Sequence, residues 1–151
     1  MDDLDTLYQF EQGVINTERP FDATLSTDPI HYYDLKEMIT ASHIEIVVAE
    51  PDTNRGDRKI IGCGYARIEK SKPYFNHQQH AYLGFMYVVP EHRGKGVNKK
   101  IIDHLKNWAK AQRVTELRLQ VYNDNASAIH AYEKIGFKRN MIEMKMSLKE
   151  I

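Results

Sequence analysis

The feature that most constrains this chain is a change of period on either side of a glycine turn. Ala81 to Val89 is an aromatic and β-branched run closed by Pro90, which reads as a strand that Pro ends. From Val97, the positions Ile101, Leu105, Trp108 and Gln112, with Ile102 and Ala109 beside them, trace a helical stripe. Lys99, Asp103, Lys106 and Lys110 oppose it. Glu91-His92-Arg93-Gly94-Lys95-Gly96 joins the two. Glu116 to Tyr122 then returns to period two, with Leu117, Leu119 and Val121 alternating with Glu116, Arg118 and Gln120. A strand-helix-strand unit of this kind is a right-handed crossover with parallel strands, and ligands bind at the carboxyl ends of such strands.

The rest of the chain fits around that unit. Leu4, Leu7, Tyr8, Glu11, Val14 and Ile15 predict an amphipathic helix over 3–16 that ends before Pro20. Thr17 to His31 is a loop leading to a second short helix, Tyr32 to Ser42. Ile44 to Ala49 and Arg58 to Glu69 read as an antiparallel hairpin around the turn residues Asn54-Arg55-Gly56-Asp57. Asn125 to Ile135 predicts a further helix stopped by Gly136, with Phe137 packing back on its last turn. Lys138 to Leu148, with Met141, Ile142, Met144 and Met146, predicts a last strand. The order is α-α-β-β-β-α-β-α-β, an α/β pattern with no natural place to divide, so residues 1–151 are expected to form a single domain.

The turn carries chemistry. Where a strand passes into a helix, several backbone N–H groups without intrahelical partners converge on one spot, which suits phosphate. Gly94 and Gly96 let the backbone approach a ligand closely, and Arg93, Lys95, Lys99 and Lys100 offer counter-charge. The two common nucleotide-binding loops, Gly-x-x-x-x-Gly-Lys-Ser/Thr and Gly-x-Gly-x-x-Gly, do not match. Arg93-Gly94-Lys95-Gly96-Val97-Asn98 instead resembles, in five of its six places, the pyrophosphate loop of the GNAT superfamily of acetyl-CoA-dependent N-acetyltransferases, which reads Gln/Arg-x-x-Gly-x-Gly/Ala. Asn98 departs from the pattern's last small residue. Asn125-x-x-Ala128-x-x-x-Tyr132-Glu133-Lys134-x-Gly136-Phe137 resembles the family's second signature.

The resemblance implies a GNAT-like fold, a mixed central sheet of about six strands with helices on both faces. It implies that the third central strand bulges and opens a gap in which pantetheine pairs with the backbone of Met86, Tyr87 and Val88. The pyrophosphate would lie on Arg93, Gly94, Lys95, Gly96, Val97, Asn98 and Lys99, with Asn125 and Tyr132 also on the cofactor. Tyr132 would be the acid that protonates the departing thiolate, since a tyrosine phenol keeps its proton at neutral pH. The attacking amine must lose a proton, and the position where many relatives carry a glutamate base is Tyr82 here. His80 and Glu116 are candidates, as is a chain of water. Glu18, Arg19, Asp22, Tyr32, Tyr33 and Asp34 fall where the family forms its acceptor side.

The implied activity is transfer of acetyl from acetyl-CoA to a primary amine of a small molecule or peptide, by direct attack in a ternary complex. The alternative is a non-catalytic acyl-CoA-binding module. Lys plus Arg equals Asp plus Glu at 21 each, which argues against nucleic acid and anionic membrane as partners. His77 and His80 lack a second ligand pair, so no metal is expected. Cys63 is the only cysteine, the N-terminus is acidic, and no apolar run approaches a membrane span; a cytoplasmic protein is the expectation. A homodimer is one candidate assembly.

Overall fold

A computed structural model describes residues 2–52 and 59–149. The chain divides into two compact units, one up to Gln120 and one from Val121. The first holds α1 (Leu4–Glu18), a 3-10 turn (Arg19–Phe21), α2 (Leu35–Thr40), β1 (Ile44–Ala49), β2 (Gly62–Lys70), β3 (Gln79–Val88), α3 (Val97–Ala111) and β4 (Leu117–Arg118). The sheet runs β1-β2-β3-β4, antiparallel at its first two pairings and parallel between β3 and β4. The parallel pairing is the one the strand-helix-strand pattern required.

Several boundaries moved for local reasons. α2 begins at Leu35, three residues later than its spacing suggested. The cause is Asp34, whose side chain accepts the Glu37 N–H at 3.1 Å and caps the helix there. β2 begins at Gly62; the expected turn at Asn54-Arg55-Gly56-Asp57 lies outside the described residues.

Helices cover both faces. Cys63 and Tyr65 of β2 enter a core with Leu7 and Phe10 of α1, Leu35 and Met38 of α2, and Phe85. Gly62 and Gly64, one step out of phase, face α3. A Cβ at Gly64 would stand 2.9 Å from Ile101 Cγ2 and 2.7 Å from Met86 Sδ, so α3 packs this close only because the side chain is absent. Glu11 is fully buried on α1 and accepts the N–H groups of Tyr32 and Tyr33 at 3.0 Å each, with His31 Nδ1 at 2.7 Å. It fixes the loop before α2 onto α1, since a buried carboxylate is held in place only where donors such as these satisfy it.

The second unit holds α4 (Ala126–Ile135). Asn125 caps it, its Oδ1 accepting the Ala128 N–H at 3.2 Å. Gly136 adopts φ 120°, and the N–H groups of Gly136 and Phe137 both donate to the Tyr132 carbonyl at 3.2 and 3.1 Å. The Phe137 ring meets Tyr132 edge-on at 5.8 Å, the helix stop that the Gly-Phe pair foretold.

Two expectations fail. The sheet has four strands among the described residues, not about six, and Lys138 to Leu148 forms no strand; its residues are exposed throughout. Alternating side chains provide a strand with a face, but a strand exists only on a partner edge, and the ladder has none for this segment.

Candidate functional site

The turn after β3 is built as a cradle. Gly94 and Gly96 take φ 74° and 81°, and a Cβ at either would meet nothing within 4 Å. Gly96 is the N-cap of α3 and no side chain caps that end. The first bond of the helix runs from the Lys100 N–H to the Gly96 carbonyl at 3.2 Å, leaving the amides of Val97, Asn98 and Lys99 without intrahelical acceptors. No acidic residue occupies the first turn. An anion is the ligand such a helix end suits.

The side chains divide the work differently from what the sequence suggested. Arg93 Nε donates to the Val88 carbonyl at 2.8 Å, and its guanidinium lies 5.6 Å from the Tyr87 ring centroid. It closes the turn onto the end of β3. Lys99 Nζ pairs with Asp103 at 2.8 Å, whereas Lys95 and Lys100 are exposed. Val97 Cγ1 packs toward Gly62, which leaves the backbone amide as the group Val97 can offer a ligand. Asn98 Oδ1 is buried without a hydrogen-bond partner; a half-turn of the amide would present a donor there instead. Open glycines, unpaired amides and exposed lysines together fit a diphosphate.

β3 carries the expected irregularity. Its register against β2 jumps between Tyr65, opposite Gly84, and Cys63, opposite Tyr87, so β3 holds one extra residue. Phe85, at φ 54°, is the extra residue's hinge. Before it, Ala81 packs on the α3 side with Ala109 and Val114; after it, Phe85 and Tyr87 pack against α1. The bulge therefore exchanges the two faces.

The sheet parts beside it. β3 pairs with β4 only at Ala81 with Leu117 and Tyr82 with Arg118, supported by the Ala81 N–H bond to the Glu116 carbonyl at 3.0 Å. From Leu83 onward the β4-side edge of β3 has no strand partner among the described residues. The Val89 N–H reaches the Ile61 carbonyl at 2.8 Å. By strand alternation Tyr87 then turns its backbone to β2, and Met86 and Val88 turn theirs to the open edge. The backbone of Tyr87 is thus engaged with β2, and Arg93 donates to the Val88 carbonyl.

On the α1 face beyond the bulge lies a strip of aromatic and charged groups. Tyr33 stacks on Phe85 at 4.7 Å and meets Tyr65 edge-on at 5.7 Å. Arg67 lies 5.7 and 5.6 Å from the Tyr65 and Tyr82 ring centroids and donates to Glu69 Oε1 at 2.6 and 2.9 Å. His80 sits between Ser71 Oγ at 2.9 Å and Glu69 Oε2 at 3.2 Å. Burial pushes the Tyr65 phenol up to about 12 and raises that of Tyr82 as well. Sequence reading missed Arg67, Glu69 and Ser71; the odd-numbered alternation of β2 with Tyr65 was the available signal.

Glu116, the other candidate base, is a poorer one. The Arg118 Nε bond at 2.8 Å lowers its pKa, and His77 Nε2 lies 2.9 Å away without hydrogen-bond geometry. The loop before α2 lines an open concavity of about 560 Å³ with Tyr32, Tyr33 and Asp34, joined by His31 and Tyr8. Tyr32 donates to Glu18 Oε2 at 2.8 Å, and Arg19 to the Ser26 carbonyl at 2.6 Å. In the second unit Asn125 spends its side-chain oxygen on the α4 cap, and Tyr132 lies half-buried on the last turns of α4.

Residues 9–137 match the family described as "Acetyltransferase (GNAT) family". N-alpha-acetyltransferase 30 of Saccharomyces cerevisiae is 25% identical over 130 residues, 85% of this chain and 71% of that protein. Streptothricin acetyltransferase of Streptomyces lavendulae is 44% identical over 50 residues, 33% of this chain, and the match spans only 26% of that protein's length. A crystal structure of a tetramutant of the BH1408 protein from Bacillus halodurans superposes with TM-score 0.82 at 16% identity, covering 97% of this chain and 95% of that one, a likeness of fold.

Proposed function

Because the chain belongs to the GNAT acetyltransferase family, we propose that it moves acetyl from acetyl-CoA to a primary amine of a small molecule or a peptide, by direct attack in a ternary complex within one domain spanning residues 1–151. The observation that carries this reading is the open turn at Gly94 and Gly96, capping α3 where β3 bulges and parts from β4. The family uses acetyl-CoA, which supplies the activated acetyl as a thioester. The amides of Gly96 to Lys99 hold its diphosphate, helped by Lys95, and the Met86 backbone on the open edge orients the pantetheine arm.

Open-edge amides of β3 beside Phe85 polarise the carbonyl, as fixed dipoles that need no reorganisation. His80, held between Glu69 and Ser71, fits the role of proton acceptor better than Glu116, whose bond to Arg118 weakens it as a base. Tyr132, by its place in the second signature, protonates the thiolate. The acceptor enters beside Tyr32, Tyr33 and Asp34, where aromatic faces and a carboxylate suit a cationic amine. A cytoplasmic site of action supplies both substrates.

The test is coenzyme A release across polyamines, aminoglycosides, amino acids and peptide N-termini, with calorimetric titration of acetyl-CoA. Release with at least one amine class supports the proposal. Binding with no release from any amine reduces the chain to an acyl-CoA-binding module, and no binding removes the cradle's assignment.

A further inference from the structure

A buried carboxylate and an exposed imidazole meet beside the concavity before α2. The Glu11 side chain is fully buried on α1, and that of His31 is 63% exposed. Glu11 Oε2 accepts the amides of Tyr32 and Tyr33 at 3.0 Å each, and Oε1 lies 2.7 Å from His31 Nδ1. A carboxylate that accepts on both oxygens makes Nδ1 the donor, so the hydrogen is assigned to Nδ1 and the lone pair to Nε2. Among the described residues Nε2 has no hydrogen-bond partner. Gln12 Nε2 also donates to the Ile30 carbonyl at 3.1 Å, so the backbone is pinned to α1 on both sides of His31. Facing the imidazole are Glu11 and Tyr8 of α1 and, around the concavity, Tyr32, Tyr33 and Asp34. An imidazole aimed by a buried carboxylate, with its other nitrogen open to a concavity, is built to accept a proton.

Acetyl transfer to an amine leaves a proton to dispose of. An alkylamine with a pKa of about 10.4 arrives as an ammonium. Ammonium and thioester give amide, thiol and one free proton: the C–S bond breaks, the C–N bond forms, and the nitrogen loses two protons. One of them ends on the departing sulfur, and the other must reach solvent. His80 is bonded at both ring nitrogens and its side chain is 12% exposed, which suits the proton released during attack. The earlier proton, which must leave before the nitrogen has a lone pair, needs an acceptor in contact with water.

We propose that His31 Nε2 takes the ammonium proton of the entering acceptor and passes it to water, with Glu11 as the positioning residue that aims the ring. The assignment rests on the reading that the chain acetylates a primary amine, and it narrows the acceptor to an alkylamine that is protonated in solution. Asp34 and the tyrosine rings hold the cation while Nε2 takes its proton. The Glu11 carboxylate stabilises the imidazolium that results, and the exposed edge of the ring releases the proton to solvent.

The test compares an alkylamine that the parent acetylates with its β-trifluoro analogue, which is mostly neutral at pH 7.5. His31→Gln should lower kcat/KM for the alkylamine at least about tenfold at that pH, and for the analogue by less than about twofold. Its kcat/KM for the alkylamine should also climb with pH more steeply than the parent's, approaching roughly tenfold per unit, because only the neutral fraction in solution then reacts. Glu11→Gln should turn its NH2 on Nδ1, reverse the tautomer and give the same pattern. Equal losses on both amines at every pH, or no loss on either, overturn the proposal. So does a His31→Gln variant with weakened acetyl-CoA binding by calorimetry, since it then acts through the fold. If Glu11→Gln does not fold, the His31→Gln comparisons still decide. A parent that releases coenzyme A with no amine overturns the acetyltransferase reading itself, an outcome separate from a parent that turns over amines with His31 indifferent.

Discussion

Phe85, held at φ 54°, lays its ring on Tyr33 at 4.7 Å with 25° between the planes. The bulge in β3 is therefore pinned by a residue from the loop before α2, 52 positions away by the numbers of the two residues. Loss of the ring in Phe85→Ala should cost about 3–5 kcal/mol. Phe85→Gly removes the same ring but suits the left-handed backbone. At an ordinary strand position glycine is the worse replacement; here it should equal or exceed alanine in urea denaturation. Alanine more stable than glycine by about 1 kcal/mol would contradict the assigned backbone.

Gly96 tests the cradle. A β-branched side chain at φ 81° is strained and fills the space where an anion would sit. Gly96→Val should abolish acetyl-CoA binding by calorimetry while far-UV circular dichroism stays near that of the parent. Gly96→Asn, which tolerates the left-handed region, should bind more weakly than the parent but measurably. Unchanged affinity in the valine variant removes the phosphate assignment.

Tyr132→Phe deletes only a hydroxyl. Acetyl-CoA affinity should hold within about twofold, and turnover should fall by roughly 10²-fold, the lower range for general acid catalysis. Equal turnover in both forms eliminates the acid role; lost affinity with intact turnover assigns Tyr132 to binding instead.

Alkaline stability follows from two buried acids. Burial pushes the Cys63 thiol well above its ordinary 9.0 and the Tyr65 phenol from 10.0 to about 12. In the unfolded chain these groups ionise at their ordinary values, while the folded chain keeps them protonated. The folded state then binds more protons, so stability falls as pH rises above about 9, at roughly 1.4 kcal/mol per pH unit for each group titrating only in the unfolded chain. The fall continues until the folded values are reached. Cys63→Ala should flatten the first part of this slope, between the ordinary cysteine and tyrosine values. In the parent, a thiol reagent at pH 8 should label Cys63 only after unfolding; rapid labelling of the native chain refutes its burial.

Much of the site was legible because the glycine turn is a local device. The spacing from Arg93 to Asn98 places two permissive residues where the strand stops and the helix begins, and both adopt positive φ. The Gly136 stop and the Asn125 cap are likewise local, since each depends on residues within one helical turn. The contacts of Arg93 within the chain were not legible for the opposite reason. Its guanidinium chose the Val88 carbonyl and the Tyr87 ring, a choice set by how the turn folds back on β3 and invisible in spacing. The Glu69–His80–Ser71 chain needed the β2–β3 register, which places Glu69 opposite His80.

The sequence by itself determined the types of the elements from α1 to α4, the parallel crossover of β3 and β4, and the anion-suited start of α3, because periodicity, prolines and glycines act over a few residues. Only the tertiary structure decided where the sheet parts, which backbone groups of Met86, Tyr87 and Val88 reach the open edge, and that the last alternating segment forms no strand among the described residues. Those outcomes depend on pairing between distant segments, and a one-residue bulge at Phe85 reverses every side chain and every amide that follows it.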